Sequence, residues 1–309
     1  MARDKEWWRS LKSALVPLVE ADAKRSVGVL SEIEASTVPL YSPKNLVGVP
    51  EVIATGVLLA IRECVFLLTA AHAIEQFNGY PVLLTIDDRF VPAYGESYRT
   101  KLPQSGTHVH DPLDAAVLRI DGDARDKLLP ACLALEDLHP TFRPYDIRYC
   151  VAGYPRRTTR REGRALIHDL QAMALAGQPI GAYEKLGLSP TLYIVMEFGK
   201  RLITRHGFAK APSIRGMSGG GVWIVPALQN SPLRRKLAGI FIETRKNRSV
   251  AVGTSISVHL SLILAYHPEL EETIKKAEAS HEFEEWLMQK GDARSPSKDR
   301  IPPEFRSFF

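Results

Sequence analysis

The sequence predicts an all-β core, and three observations lead to this prediction. Many short apolar runs rich in Val, Ile, Leu and Phe are separated by Gly, Pro and charged turn residues, a pattern typical of antiparallel barrels and sandwiches. Strands and helices do not alternate regularly, which argues against a doubly wound α/β sheet. The 309 residues, 45% of them hydrophobic, are enough for one large or two modest domains with a buried core.

The most apolar segment, residues 52–73, predicts two strands joined by a hairpin turn. Its apolar runs cover residues 56–61 and 64–69, and the charged pair Arg62-Glu63 lies between them. Two adjacent charges at the centre of a bilayer would be costly, so we expect no membrane span.

The rest of the chain predicts further strands, with helices only near the termini. A connection with three prolines covers residues 130–146. Apolar residues recur with helical spacing over residues 5–24 and 268–289, and residues 291–309 are predicted to form a loose tail. The additional predicted strands are residues 82–86, 115–120, 147–152, 192–198, 222–225, 237–242 and 249–258.

Charge and cysteine content narrow the possible classes of protein only weakly. The net charge of +5 and the pI of about 9.0 permit weak attraction to anionic surfaces but identify no partner. The three cysteines, Cys64, Cys132 and Cys150, are widely spaced and form neither a disulfide framework nor a CxxC metal site. Because no secretory signal is visible either, we expect a cytoplasmic protein.

The strongest run of charge is the arginine-rich segment of residues 156–164. It is interpreted as a solvated loop, with a site for an acidic segment or nucleic acid as the alternative. Aromatic residues do not alternate with the arginines, so nucleic-acid binding is not expected.

The stretch of residues 216–220 (Gly-Met-Ser-Gly-Gly) places a single serine among glycines, directly before an apolar run. Glycines allow a tight turn and close approach of the backbone, so the Ser218 hydroxyl can face a ligand beside free backbone N–H groups. Acyl transfer needs this combination of a nucleophile and donors for the developing oxyanion. Similar stretches also occur in ordinary turns, so this interpretation depends on a base and a carboxylate elsewhere.

Two residues can supply that base and that carboxylate. His72 follows small residues at the end of the apolar run 64–69, where its ring can be held and still reach a cleft. Asp114 immediately precedes the apolar run 115–120, where it either ends the strand or holds the Nδ1–H of an imidazole. Asp111 is the alternative carboxylate, and Asp114 is preferred because it directly precedes the strand.

His108 and His110 form a His-x-His pair, a spacing that can bind a metal. Without a cysteine or a further histidine nearby, this segment is predicted to be a polar loop instead.

In this order, residues 69–72 (TAAH), 114–118 (DAAVL) and 216–220 (GMSGG) resemble the three active-site motifs of the trypsin-like, chymotrypsin-fold serine proteases. The chain resembles bacterial-type members in particular. Three flanking segments resemble strands of that family, namely residues 55–59, 237–240 and 252–256.

The resemblance implies a chymotrypsin-like fold of two antiparallel six-stranded β-barrels. The barrels would cover about residues 50–130 and 147–262 of a protease domain of residues 50–265, with the proline-bearing connection between them. A helical extension of residues 1–49 would precede this domain, and a C-terminal helix and tail of residues 266–309 would follow it.

The resemblance also implies the role of each residue in the motifs. Ser218 would attack the scissile carbonyl, and His72 would accept its proton and later donate it to the leaving amine. Asp114 would orient His72, and the backbone N–H groups of Gly216 and Ser218 would form the oxyanion hole. No cofactor and no metal are implied.

The specificity pocket differs from that of the digestive members of the family. Its base would fall at Pro212 and its walls at Ile242, Glu243 and Thr244. Since no acid lies at the base to select Lys or Arg, we expect a small or apolar P1 side chain.

Met217 occupies the position where digestive members carry an acid that pairs with a newly cut N-terminus. A thioether cannot form that ion pair, and no matching cleavage site is visible. The loop is therefore expected to be set by packing or by a partner protein.

These observations predict a serine endopeptidase that acts on a protein or peptide substrate. The alternatives are a regulatory or binding module with an idle triad, and an esterase. The terminal helices are candidates for binding a recruiting or activating protein.

Overall fold

The computed structural model confirms the prediction of an all-β core. It groups most of the strands into two antiparallel sheets of five and eight strands, with few helices. The structure describes residues 30–43, 51–86, 89–108, 111–139, 148–156, 160–162, 165–167, 169–204, 207–211, 213–224, 235–245, 247 and 249–278.

The first sheet has the strand order β1-β2-β3-β7-β6, and a separate hairpin pairs β4 with β5. A single bridge between Tyr41 and Leu83 joins this hairpin to the end of β1. The strands are β1 (Thr37–Leu40), β2 (Ala54–Ile61), β3 (Cys64–Ala70), β4 (Val82–Ile86), β5 (Arg89–Ala93), β6 (Ser97–Arg99) and β7 (Ala115–Ile120).

The second sheet has the order β12-β17-β16-β15-β8-β11-β13-β14, and β9 and β10 form a separate pair. The strands are β8 (Arg148–Gly153), β9 (Arg160–Glu162), β10 (Ala165–Ile167), β11 (Gln171–Ala176), β12 (Tyr193–Glu197), β13 (Arg201–Thr204), β14 (Gly207–Lys210), β15 (Gly221–Ile224), β16 (Lys236–Arg245) and β17 (Val250–Ser255).

The helices of the described chain are short. They are α1 (Leu30–Ile33), α2 (Ala71–Glu75), α3 (Gly122–Leu128), α4 (Ile180–Leu186), α5 (Ile256–Tyr266) and α6 (271–278), with 3-10 turns at Leu129–Ala131, Leu135–Asp137 and Pro268–Leu270. Among the residues described here, no helix has the length and apolar character needed to cross a membrane.

The continuous apolar runs of β2 and β3 form a hairpin that is buried on both faces. Arg62 adopts a left-handed conformation with φ of 54° in the two-residue turn between them, as twisted hairpins require. Alternate residues point to opposite faces of the sheet. Leu59 and Phe66 therefore belong to one apolar cluster, and Leu58 and Leu67 to another.

One apolar cluster joins the two sheets. On the side of the first sheet it contains Leu59 and Phe66, and on the side of the second it contains Trp223 and Ile240. Trp223 is fully buried. The two sheets thus share a core and hold fixed positions relative to each other.

The buried structure extends beyond the predicted domain limits of residues 50 and 265. β1 lies in the segment assigned to the N-terminal extension, and it pairs with β2 from Thr37 to Leu40. Beyond α5, Leu270 and Ile274 are buried in the shared core. The predicted helix of residues 5–24 and the tail of residues 291–309 lie outside the described residues.

The strand predicted over residues 249–258 ends at Ser255, and the helix α5 follows it. The Ser255 hydroxyl accepts a hydrogen bond from the backbone N–H of Ser257, so it caps this helix. The predicted strand therefore stops at a capping residue, since a serine favours a helix start over strand continuation.

Deletion of residues 266–309 is expected to destabilise the protein, whereas deletion of residues 279–309 leaves the described core intact. The longer deletion removes the buried side chains of Leu270 and Ile274, each of which stabilises the fold by about 1.5–3 kcal/mol. Chemical unfolding of both variants measures the difference. Equal stability of the two would contradict the packing described for α6.

Candidate active site

His72 and Asp114 lie side by side where two neighbouring strands meet. In the antiparallel pair of β3 and β7, Ala70 at the end of one strand faces Ala115 at the start of the other. His72 follows on the first turn of α2, and Asp114 directly precedes β7. The Nδ1 of His72 lies 2.6 Å from Oδ2 of Asp114, and the backbone N–H of His72 donates to Oδ1 at 2.8 Å.

Burial and hydrogen bonding shift the pKa of the Asp114 carboxyl group in opposite directions. Burial raises the pKa of Asp114, and the hydrogen bonds and charge of His72 act against this increase. A carboxylate that accepts the Nδ1–H of an imidazole leaves Nε2 free to accept a proton. The His72 side chain is 20% exposed, so its ring is within reach of a bound molecule.

Asp114 adopts a left-handed backbone conformation, with φ of 47°, which is uncommon for a residue other than glycine. Its carbonyl accepts the Ala71 N–H at 3.1 Å. Two side chains of the second sheet hold the residues before it, since Thr254 donates to the Leu113 carbonyl at 2.6 Å and Tyr193 donates to that of Pro112. The second sheet thus fixes the loop that carries the carboxylate. The sequence did not predict these contacts because they join residues far apart in the chain.

Asp111 has different partners from Asp114. Its Oδ2 lies 2.8 Å from Nδ1 of His108 and also accepts from Thr100. Burial alone would raise the pKa of Asp111, but the hydrogen bonds from Thr100 and His108 outweigh it and the pKa is lowered. His110 lies outside the described residues. Within the described ranges, no group of three or more His, Cys, Asp or Glu side chains is arranged to bind a metal ion.

Ser218 lies on a tight turn between the second sheet and the start of β2. Gly216 and Gly219 flank it in left-handed conformations, with φ of 91° and 89°, which favours glycine at both positions. A Cβ atom at Gly219 would collide with the carbonyl oxygen of Thr55 and the hydroxyl of Thr69. The turn is therefore packed directly against the first sheet.

The backbone N–H groups of Gly216 and Ser218 have no hydrogen-bond acceptor among the described residues. By contrast, the N–H of Met217 donates to the Ile214 carbonyl at 2.9 Å. Two free N–H groups, one of the serine itself and one two residues before it, are suited to bind an oxyanion.

The Ser218 hydroxyl donates to the Ile242 carbonyl at 3.2 Å, and no hydrogen bond joins it to His72 in the described structure. Ile242, whose carbonyl accepts this hydrogen bond, lines the same cavity as His72. In unliganded enzymes, hydrogen bonds of this kind often form only when substrate binds.

The cavity beside His72 has a volume of about 460 Å³. Its lining includes Asp114, Ile242, Glu243 and Arg245. Glu243 and Arg245 form an ion pair at 2.6 Å, and the carboxyl groups of Asp111 and Asp114 also line the cavity, so acidic side chains outnumber basic ones in its wall.

Two of the four predicted specificity-pocket residues line this cavity, namely Ile242 and Glu243. Thr244 is half-buried on β16 but is not part of the lining. Pro212 lies outside the described residues.

A second cavity of about 290 Å³ lies at the start of the Ser218 turn. Its lining includes Ser213 and Arg215, together with an ion pair between Arg156 and Glu51. The Arg156 N–H also donates to the Arg215 carbonyl at 2.7 Å. The first arginine of the basic run therefore contacts the turn, and it is not part of a loop that is solvated throughout.

His259 on α5 connects this helix to the strand that leads to His72. Its Nε2 lies 3.1 Å from the carbonyl oxygen of Thr69, and its side chain is fully buried. Burial lowers the pKa of His259 to about 4. The ring is therefore neutral at pH 7 and donates a hydrogen bond to the end of β3.

Acidification is expected to destabilise the protein through His259. Its pKa is about 4 in the folded state and 6.5 as the reference value, so only the unfolded state binds a proton between these pH values. The contribution of His259 to the free energy of unfolding is therefore fully present above pH 6.5. It is lost as the pH falls towards 4, by up to about 3 kcal/mol.

The His259→Gln variant tests this pH dependence, since glutamine can donate to Thr69 but does not titrate. We expect its free energy of unfolding, measured by urea titration at pH 7 and pH 4, to change less than that of the wild type. Parallel pH profiles for the two proteins would contradict the role assigned to His259.

No protein-family model matches the sequence, and a comparison with curated proteins finds no match. Solved structures that are similar to this chain include three with TM-scores below 0.5. The inactive serine-to-alanine mutant form of Rv3671c from M. tuberculosis H37Rv has 13% identity and a TM-score of 0.44, over 77% of this chain and 90% of that chain. Neuropsin, a serine protease of mouse brain, has 16% identity and a TM-score of 0.45 over 75% and 94%. An inactivated protease paralogue of the scabies mite has 16% identity and a TM-score of 0.46 over the same shares.

Proposed function

We propose that this chain is a trypsin-like serine endopeptidase that cleaves peptide bonds through an acyl-enzyme intermediate. One observation carries the proposal. The imidazole of His72, held by Asp114 at 2.6 Å, lines the same cavity as Ile242, and the Ile242 carbonyl accepts the Ser218 hydroxyl at 3.2 Å. Acyl transfer requires a nucleophile, a base and an orienting carboxylate, and we assign these roles to Ser218, His72 and Asp114.

The reaction begins when Ser218 turns its hydroxyl from the Ile242 carbonyl towards Nε2 of His72. As Oγ attacks the substrate carbonyl carbon, Nε2 accepts the hydroxyl proton, and Asp114 stabilises the resulting imidazolium. The N–H groups of Gly216 and Ser218 bind the negative charge that develops on the carbonyl oxygen.

Collapse of the tetrahedral intermediate breaks the C–N bond, and His72 donates its proton to the leaving amine. Water then attacks the ester on Ser218, again with His72 as the base. The second tetrahedral intermediate releases the carboxylic acid product and restores the hydroxyl.

The substrate is proposed to be a protein or peptide with a small or apolar P1 side chain. Ile242 and Glu243 line the cavity beside His72, and Pro212 and Thr244 remain proposed parts of the pocket. Esters fit the same chemistry, so an esterase activity of this site is expected as a side reaction.

The cytoplasm is the proposed compartment. All three cysteines are free thiols, and burial raises the pKa of Cys132 and of Cys150 to about 12. Thiols of this kind are unreactive side chains that suit a reducing environment.

Substrate profiling tests the proposed function. The purified protein and its Ser218→Ala variant are incubated with a peptide library, and new termini are identified by mass spectrometry. We expect cleavage by the wild type alone, with one preferred class of P1 residue. Absence of cleavage, or equal cleavage by both proteins, would rule out the proposal.

A regulatory module with an idle triad is the second candidate, and the hydrogen bond from Ser218 to Ile242 favours it. In that case the peptides that bind should do so equally well in wild-type and Ser218→Ala protein, without turnover. Calorimetric titration with library peptides, followed by product analysis, distinguishes the two functions.

A further inference from the structure

Thr55, the second residue of β2, connects the Ser218 turn to both sheets. Its side chain is fully buried, and all its polar groups have partners. The backbone N–H donates to the Ser218 carbonyl at 2.9 Å, and the hydroxyl donates to the Gly216 carbonyl at 2.8 Å. The hydroxyl also accepts the Tyr154 N–H at 2.9 Å, and the carbonyl of Thr55 accepts the Thr69 hydroxyl at 2.8 Å.

These contacts fix the peptide groups around the two free N–H donors. The carbonyl of Gly216 accepts the Thr55 hydroxyl, and the carbonyl of Ser218 accepts the Thr55 N–H. Each of these carbonyls belongs to the same residue as one of the free N–H donors. Rotation of the peptide group that follows either donor residue would break a buried hydrogen bond and leave a carbonyl without a partner. Thr55 therefore restrains the backbone on the C-terminal side of both donors.

Met217 lies between the two donors and cannot fix their orientation through a charge. Met217 is fully buried, and its thioether forms no ion pair. Packing at this point is tight, because a Cβ atom at Gly153 would lie 3.1 Å from the Thr55 hydroxyl oxygen and 3.2 Å from the Met217 Cβ. The turn is thus held by a buried hydroxyl and not by a charge at position 217.

We propose that Thr55 is the positioning residue that keeps the oxyanion-binding N–H groups of Gly216 and Ser218 in their active orientation without cleavage of the chain. This proposal rests on the proposed function of the same site. Thr55 would not touch the substrate, and it would act through the backbone of the turn.

The Thr55→Val variant tests the proposal, since it keeps the shape of the side chain and removes the hydroxyl. A displacement of about 1 Å in a catalytic group can cost about 10²-fold in rate. We therefore expect kcat for peptide hydrolysis to fall by about 10²-fold with little change in KM. The affinity for a peptidyl boronate, which mimics the tetrahedral intermediate, should fall in parallel.

Three further variants separate positioning from stability. Thr55→Ser keeps the hydroxyl and should restore most of kcat. Ser36→Ala removes another buried hydroxyl, which donates to the Ile33 carbonyl at 3.1 Å, and it should lower stability but not kcat. If Thr55→Val does not fold, Thr55→Cys offers a weaker donor and should give an intermediate kcat.

The outcomes distinguish this proposal from the proposed function. If wild-type protein neither cleaves peptides nor reacts with a fluorophosphonate, the proposed function fails and the role of Thr55 fails with it. If the wild type is active and folded Thr55→Val has an unchanged kcat or unchanged boronate affinity, only the positioning role is overturned.

Discussion

Replacement of Ser218 by Ala is expected to lower kcat for peptide hydrolysis by about 10⁶-fold. The variant retains His72, Asp114 and the free N–H groups of the turn, but it cannot form the acyl-enzyme. Because substrate binding does not depend on the hydroxyl, the affinity for peptides should stay close to that of the wild type. Steady-state kinetics and peptide-binding titrations measure these two quantities.

A matched control for this prediction is Ser261→Ala. The Ser261 hydroxyl is exposed on α5 and donates to the Ser257 carbonyl at 2.8 Å. This variant should keep wild-type kcat. If Ser218→Ala retained more than about one hundredth of the activity, a different nucleophile would have to be sought.

Replacement of Asp114 by Asn is expected to lower kcat by about 10⁴-fold. An asparagine can donate its amide N–H to Nδ1 of His72, which would place the ring proton on Nε2. In that tautomer the imidazole cannot accept the Ser218 proton. The fold should persist, because asparagine has nearly the same shape, and kinetics together with thermal unfolding would separate the two effects.

Asp111→Asn is the matched control for Asp114. Asp111 interacts with His108 at 2.8 Å and not with His72, so its replacement should reduce stability but retain most of kcat. A larger loss of kcat in Asp111→Asn than in Asp114→Asn would reverse the assignment of the orienting carboxylate.

The sequence was sufficient to predict the hairpin of β2 and β3 and the contact between His72 and Asp114. Continuous apolar runs around Arg62-Glu63 specify two buried strands, and the side chains of His72 and Asp114 follow from their positions at strand ends. The register of Ala70 opposite Ala115 then brings these two ends together. Local patterns were thus enough to place these two polar side chains at the ends of neighbouring strands.

The sequence did not predict the elements that are stabilised by contacts between residues far apart in the chain. The sequence places Pro39 in the helical extension of residues 1–49, but β1 is an edge strand, where proline is tolerated because one side of the strand is unpaired. The hydroxyl of Thr55 reaches Gly216 across 161 positions of sequence. The periodicity of apolar residues cannot predict such a contact. A threonine directly before Gly56 in an apolar strand does indicate a buried hydroxyl that needs a hydrogen-bond partner.

The structure around the Ser218 turn differs in part from the solvated loop that the sequence predicts for residues 156–164. A cluster of arginines favours a solvated loop in the sequence, but Arg156 is held by Glu51 and by the Arg215 carbonyl. These partners lie on distant parts of the chain. Arg156 thereby stabilises the beginning of the turn at Arg215, in addition to the contacts of Thr55 with Gly216 and Ser218.

Labelling with a fluorophosphonate tests the central claim most directly, since the reagent requires an activated serine but no knowledge of the substrate. Intact-mass analysis of the labelled protein, followed by peptide mapping, is expected to show one adduct per chain, located on Ser218 and absent from Ser218→Ala. Absence of an adduct on folded wild-type protein, or an adduct on another serine, would contradict the assignment of Ser218 as a nucleophile activated by His72 and Asp114.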